Sequence, residues 1–141
     1  MRFTPLLVLL LLPAPAAAAG GKGLTFHPVT IAQINADACD HWTKLATHLE
    51  VDGWVFKSVP EQDGDRHVGV CDDQKLAARL AKEGGFDHLH CMVWEIISAV
   101  PLKIPRIGDH VRGQGIERYD AEDPGHHWFE LHPLLHWEII K

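Results

Sequence analysis

From Glu50 onward the chain alternates apolar and polar residues with a period of two, and each alternating stretch ends in turn chemistry. That pattern specifies strands with one buried face. Val51, Gly53 and Val55 alternate with Asp52, Trp54 and Phe56, and Pro60-Glu61-Gln62-Asp63-Gly64 then supplies a turn. Alternation resumes over residues 66–71, so the two segments form a hairpin. Further strands are expected over residues 88–100, 109–119 and 126–140, separated by a proline-bearing loop (101–108) and a turn (120–125). Gly113 and Gly115 inside the fourth strand mark a bend or bulge of the kind found at barrel corners.

Two helices interrupt this pattern. Asn35-Ala36-Asp37 supplies capping residues for a helix over about residues 38–48, with Trp42, Leu45 and Leu49 at helical spacing. A second helix is expected over residues 73–83, closed by Gly84-Gly85. Residues 25–34 read as a short extended piece. The architecture expected is mainly β: a small, closed or partly closed five-stranded barrel, with a short N-terminal helix and a helix between strands 2 and 3. An open α+β sheet is the competing arrangement.

The N-terminus carries a different signal. Arg2, an apolar run over residues 6–12, Pro13-Ala14-Pro15 and the small residues 16–19 follow the order of a cleavable secretory signal. The apolar run falls well short of the roughly 20 residues that span a bilayer. The expected organisation is a signal peptide over 1–19, a leader over 20–35 and one domain over 36–141, periplasmic or secreted, with no membrane span. Cys39, Cys71 and Cys91 then meet an oxidising compartment, where one disulfide is expected and one thiol is left over. Sequence does not choose among the three pairings. The formal net charge of −6 and the lack of a basic run disfavour nucleic acid, whose binding rests on phosphate neutralisation. All but His27 of the eleven histidines lie beyond residue 40, so mild acid would change this balance.

Candidate chemistry sits on the strands. In the last one, His127, Phe129, Leu131, Pro133, Leu135, Trp137 and Ile139 are expected to face a core, which leaves Glu130, His132 and His136 on the other face. Pro133 cannot donate to a ladder and marks an edge or a bulge. In the second strand Asp65, His67, Gly69 and Cys71 share a face. In the third, His88 and His90 share a face with Met92 and Trp94, opposite Leu89, Cys91, Val93 and Glu95. His90 and Cys91 therefore point apart, and His-Leu-His-Cys is not one ligand set. Glu95, in an otherwise apolar strand, needs a partner or a polar pocket.

If strands two, three and five are neighbours, Asp65, His67, Glu95, Glu130 and His132 converge. Such a cluster would bind a divalent metal, pair a general base with an acid, or simply fix the barrel as a buried polar network. No Gly-x-Ser-x-Gly elbow, phosphate-binding loop or Gly-x-Gly-x-x-Gly opening a helix is present.

The segments Val51-Asp52-Gly53-Trp54-Val55, Asp63-Gly64-Asp65-Arg66-His67, Gly108-Asp109-His110-Val111, Glu117-Arg118-Tyr119-Asp120 and Trp128-Phe129-Glu130-Leu131-His132-Pro133 together resemble a group of small exported bacterial proteins. The resemblance covers about residues 39–137 and implies an oligonucleotide/oligosaccharide-binding (OB) type barrel. Fold of this kind hosts many functions. Three are expected. One is a non-enzymatic binding module of the cell envelope, with Trp54, Trp94 and Trp128 as stacking platforms for a sugar, peptide or protein partner. Another is a metal-dependent hydrolase or nuclease-like enzyme built on the His/carboxylate cluster, against which counts the lack of an evident phosphate-clamping arginine. The third is a structural or assembly factor.

Overall fold

The computed structural model describes residues 23–36, 47–121 and 126–141. Along the chain come β1 (His27–Val29), α1 (Ile31–Ala36), β2 (His48–Pro60), β3 (Arg66–Cys71), α2 (Gln74–Glu83), β4 (Cys91–Ile96), β5 (His110–Asp120) and β6 (Trp128–Ile139). The signal segment 1–19, Cys39, residues 38–46 of the expected first helix and turn residues 122–125 lie outside the described residues. His48, expected as the end of that helix, is instead the first residue of β2.

Five strands close a barrel in the order β2-β3-β4-β6-β5, with β5 returning to pair with β2. All these pairs are antiparallel except β4 with β6. Closure depends on the length of β2, whose residues 48–54 pair with β5 and whose residues 54–60 pair with β3. Gly53 sits where it changes partner. A Cβ there would stand 2.4 Å from Val70 Cγ1 and 2.8 Å from the Cys71 carbonyl oxygen, so only glycine permits the approach. The described residues thus form a small OB-like barrel with two short helices.

Alternation sorts the side chains as the period requires. Val51, Val55, Val68, Val70, Met92, Trp94, Val111 and Leu131 fill the barrel. Trp94 lies across it, and Gly113 makes room for the indole: a Cβ at Gly113 would meet three ring atoms of Trp94 at 2.7–2.8 Å. The last strand breaks its own period twice. Relative to β5 it carries extra residues between Leu131 and Leu134 and again between Leu134 and His136. Leu134 therefore turns inward and is buried, although strict alternation from Leu131 would expose it. Pro133, joined to His132 by a cis peptide bond, lies in the first of these irregularities.

The leader expected over residues 20–35 is corrected from His27 onward. Only His27–Val29 are extended, pairing parallel with β2, and α1 follows at once. Thr30 and Gln33 form a reciprocal cap, Thr30 N donating to Gln33 Oε1 (2.9 Å) and Gln33 N to Thr30 Oγ1 (3.1 Å). The turn they start places Ile31 and Ile34 in the barrel core. The third strand is also shorter than expected. His88–His90 form a turn in which Asp87 Oδ1 accepts from the Leu89 and His90 amides, and residues 97–100 turn away beyond Ile96.

α2 packs outside the barrel. Asp73 caps it by accepting from the Leu76 amide (2.7 Å), and Gly84 ends it at φ 79°. Ala77 and Leu80 cover Phe56 and the Cys71–Cys91 disulfide, which joins directly opposed residues of β3 and β4. Among the described residues no helix is long and apolar enough to cross a membrane.

Candidate functional site

The outer face of β3, β4 and β6 carries His67, Glu95, Glu130 and His132 because each of these residues alternates with an inward one: Val68, Trp94 and Leu131. His67 pairs directly with Glu95 across β3 and β4. Glu95 is 8 % exposed and Glu130 4 %, so both carboxyls are nearly removed from water. His132 Nδ1 stands between them, in contact with Glu95 Oε2 and 3.0 Å from Glu130 Oε1. His67 approaches from the other side, its Nε2 3.9 Å from Glu95 Oε1 and its Nδ1 3.4 Å from Glu61 Oε1.

Two loops complete a cavity of about 690 Å³ over this cluster. The β2–β3 turn contributes Glu61, Gln62 and Asp63, while the β5–β6 end contributes Arg118, Tyr119, Asp120 and His126. His126 Nδ1 lies 2.5 Å from Asp120 Oδ2 and its ring stacks on Trp128 at 4.2 Å. Five carboxylates thus face one guanidinium and three imidazoles.

Burial raises the carboxyl pKa of Glu95 above its ordinary value, the Glu130 charge adds to this, and His132 and His67 oppose it. Burial likewise raises Glu130, against the hydrogen bond and charge of His132. The Trp128 indole also favours the ionised form of Glu130. Even so, neither Trp128 Nε1 nor Glu130 Oε2 completes a hydrogen bond among the described residues, and both atoms are buried. The chemistry available is that of two crowded carboxylates held by one shared imidazole, a disposition that accepts positive charge.

The structure brings together four of the five expected cluster residues. Asp65 is the exception. Its Oδ1 accepts from the Ser98 amide at 2.7 Å, which ties the hairpin to the loop after β4, and it does not line the cavity. The three tryptophans separate. Trp94 is fully buried inside the barrel, with no face for a ligand to stack on, which corrects its assignment as a platform. Trp54 stacks on His110 (4.2 Å, 4° between planes), away from the cavity. Trp128 does not line the cavity either, but it packs edge-on to His67 and stacks on His126, both of which do.

Of the cysteines, Cys71 and Cys91 are the pair. His88 and His90 lie in the turn before β4, where His90 faces Asp72. Sequence reasoning missed Glu61, Asp120, His126 and, above all, Arg118, which is the cross-strand neighbour of Glu130. The expected lack of an arginine beside the cluster is therefore overturned. The signal was available: Arg112, Gln114, Arg118 and Asp120 alternate with Val111, Gly113, Gly115 and Glu117 along β5, which places Arg118 on the outer face. Glu117, a further buried carboxylate, belongs to the inner face and not to the cavity.

No family model matches the chain, and no curated protein matches it.

Proposed function

We propose that this chain is an exported binding module whose ligand seat is the acidic cavity at the loop end of the barrel, and that its ligand presents a positive charge. The observation that carries this reading is the buried pair Glu95 and Glu130, held by His132 beneath a cavity rich in carboxylates. Burying two carboxylates side by side is unfavourable unless positive charge or hydrogen bonds compensate. Position supports it as well. β3 and β4 are the second and third barrel strands, and the cavity lies between the first hairpin turn and the last one, the face on which barrels of this type bind their ligands. The charge of the cavity is unsuited to a polyanion, in keeping with the formal net charge of −6. Export is supported by the N-terminal segment and by the disulfide, a bond at home in an oxidising compartment.

The test is an amide NMR titration of the chain with spermidine, arginine amide, calcium and zinc as separate probes. Saturable shifts at Glu61, His67, Glu95 and Asp120 are expected with at least one of them. No saturable shift with any probe, or shifts confined to other regions, would overturn the reading.

A second reading, a metal-dependent hydrolase, is favoured by one observation: the exposed Arg118 guanidinium lines the same cavity and would clamp a phosphoryl oxygen. Under it, zinc- or manganese-loaded protein should hydrolyse bis(p-nitrophenyl) phosphate, and Arg118→Ala should lower that rate at least tenfold. No metal-dependent rate above buffer would set this second reading aside.

A further inference from the structure

We infer that the cavity holds one divalent transition-metal ion of the zinc class, bound by His67 Nε2, Glu95 and Glu130, with a fourth position facing the cavity. This rests on the cation-binding reading above and names its ligand. One potential donor atom from each of the three residues lies within 4.8 Å of the other two. Zinc takes nitrogen and oxygen donors at about 2.0–2.2 Å, which sets neighbouring tetrahedral donors about 3.4 Å apart. Side-chain adjustments on the order of 1 Å close that difference.

Three features point to an ion rather than to an acidic patch. The first is Glu130 Oε2. Glu130 is 4 % exposed, and this oxygen has no hydrogen-bond partner among the described residues, although Oε1 is held by His132. A buried acceptor left unmade is costly, and a cation at this point satisfies it. The second is the division of labour among oxygens. His132 engages Glu95 Oε2 and Glu130 Oε1, which leaves Glu95 Oε1, on the side of His67, and Glu130 Oε2 for an ion. The third is the orientation of His67. Its Nδ1 is nearer to a carboxylate (Glu61, 3.4 Å) than its Nε2 is (Glu95, 3.9 Å). A proton on Nδ1 directs the Nε2 lone pair toward the two glutamates. Histidines that ligate metals are oriented in this way by a carboxylate on the second nitrogen.

The donor set selects the metal. Calcium and magnesium prefer all-oxygen shells, whereas one imidazole and two carboxylates suit zinc and its first-row neighbours. Cys71 and Cys91 are joined to each other and offer no thiolate. Three protein ligands leave the fourth position to water or to a ligand group in the cavity.

The experiment is equilibrium dialysis with metal analysis, and calorimetric titration with zinc, on chelator-treated chain. One zinc per chain is expected. His67→Gln and Glu130→Gln should weaken binding at least 100-fold, and Glu61→Gln about tenfold, as loss of an orienting partner does. The double variant His88→Gln/His90→Gln, altered in a turn away from the cavity, should bind as the parent does. Nitrogen-15 spectra of the histidine rings need no variant: zinc should move His67 Nε2 and leave His88 and His90 in place. Absence of a one-equivalent site overturns the assignment, as does retained affinity in folded His67→Gln and Glu130→Gln, or a zinc response at His88 and His90 instead of His67. Should organic cations shift the cavity amides while zinc does not, the metal assignment falls and the cation-binding reading stands; if no cation does, both fall.

Discussion

Glu130→Gln should make the metal-free chain more stable at neutral pH and at the same time remove most of its gain from zinc. Potential donor atoms of Glu95 and Glu130 lie within 4.8 Å of each other. Two like charges at that separation repel by about 3.5 kcal/mol at an effective dielectric constant of about 20. His132 Nδ1, in contact with both carboxyls, offsets part of this. A net gain of about 1–2 kcal/mol is expected from the substitution, in the range of other single stabilising changes. The amide carbonyl retains the acceptor for His132, so the packing is preserved.

The pH dependence follows from the raised pKa of Glu130. A carboxyl raised by folding contributes its stability below the unfolded value, near 4.5, and loses it as pH rises through the folded value. The advantage of Glu130→Gln should therefore be small at pH 4 and grow toward pH 7.5. Thermal unfolding followed by circular dichroism in chelator measures it, with about 4–5 °C expected per kcal/mol for a domain of this size. Zinc at about 100 times the parent's dissociation constant should then stabilise the parent by about 2.7 kcal/mol and the variant by no more than about 0.4 kcal/mol, inverting their order. A variant less stable than the parent at both pH values, or equal stabilisation of both by zinc, would refute the reasoning.

Three further outcomes test the fold. Replacing Cys71 and Cys91 by Ala should cost about 3 kcal/mol in urea unfolding, the loop-closure contribution for a separation of 20 residues. Ile31→Ala should cost about 2–5 kcal/mol, because Ile31 is fully buried in the barrel core although it lies in a stretch that reads as a leader. Gly113→Ala should cost about 1–3 kcal/mol and alter the near-ultraviolet signal of Trp94, whose ring occupies the space a Cβ needs.

Much of this barrel is legible in sequence because its strands obey the two-residue period and its turns use turn residues. The second barrel strand and the capped helix α2 follow directly from alternation over residues 66–71 and from Asp73 and Gly84. What escapes is whatever depends on partners distant in sequence. Thr30 and Gln33 spell out a capping box, yet the residues before them favour extension, and only the barrel's need for a plug explains why Ile31 and Ile34 turn inward. Leu134 departs from alternation because β6 is irregular against β5, a feature of the pair and not of either strand.

The site divides in the same way. His67, Glu95, Glu130 and His132 share outer faces that alternation reveals, and their convergence follows once β3, β4 and β6 are neighbours. Arg118 needs the β5–β6 pairing to be recognised as a neighbour of Glu130. Asp65 shares the face of His67 in the pattern, but it stands before the first residue of β3, where the loop after β4 claims its carboxylate.

The most direct test of the central claim is a crystal of the zinc-soaked chain measured across the zinc absorption edge. One anomalous peak is expected in the cavity, about 2.0–2.2 Å from His67 Nε2 and from one oxygen each of Glu95 and Glu130. A peak only at other histidines, such as His88 or His90, or none at all, would contradict it.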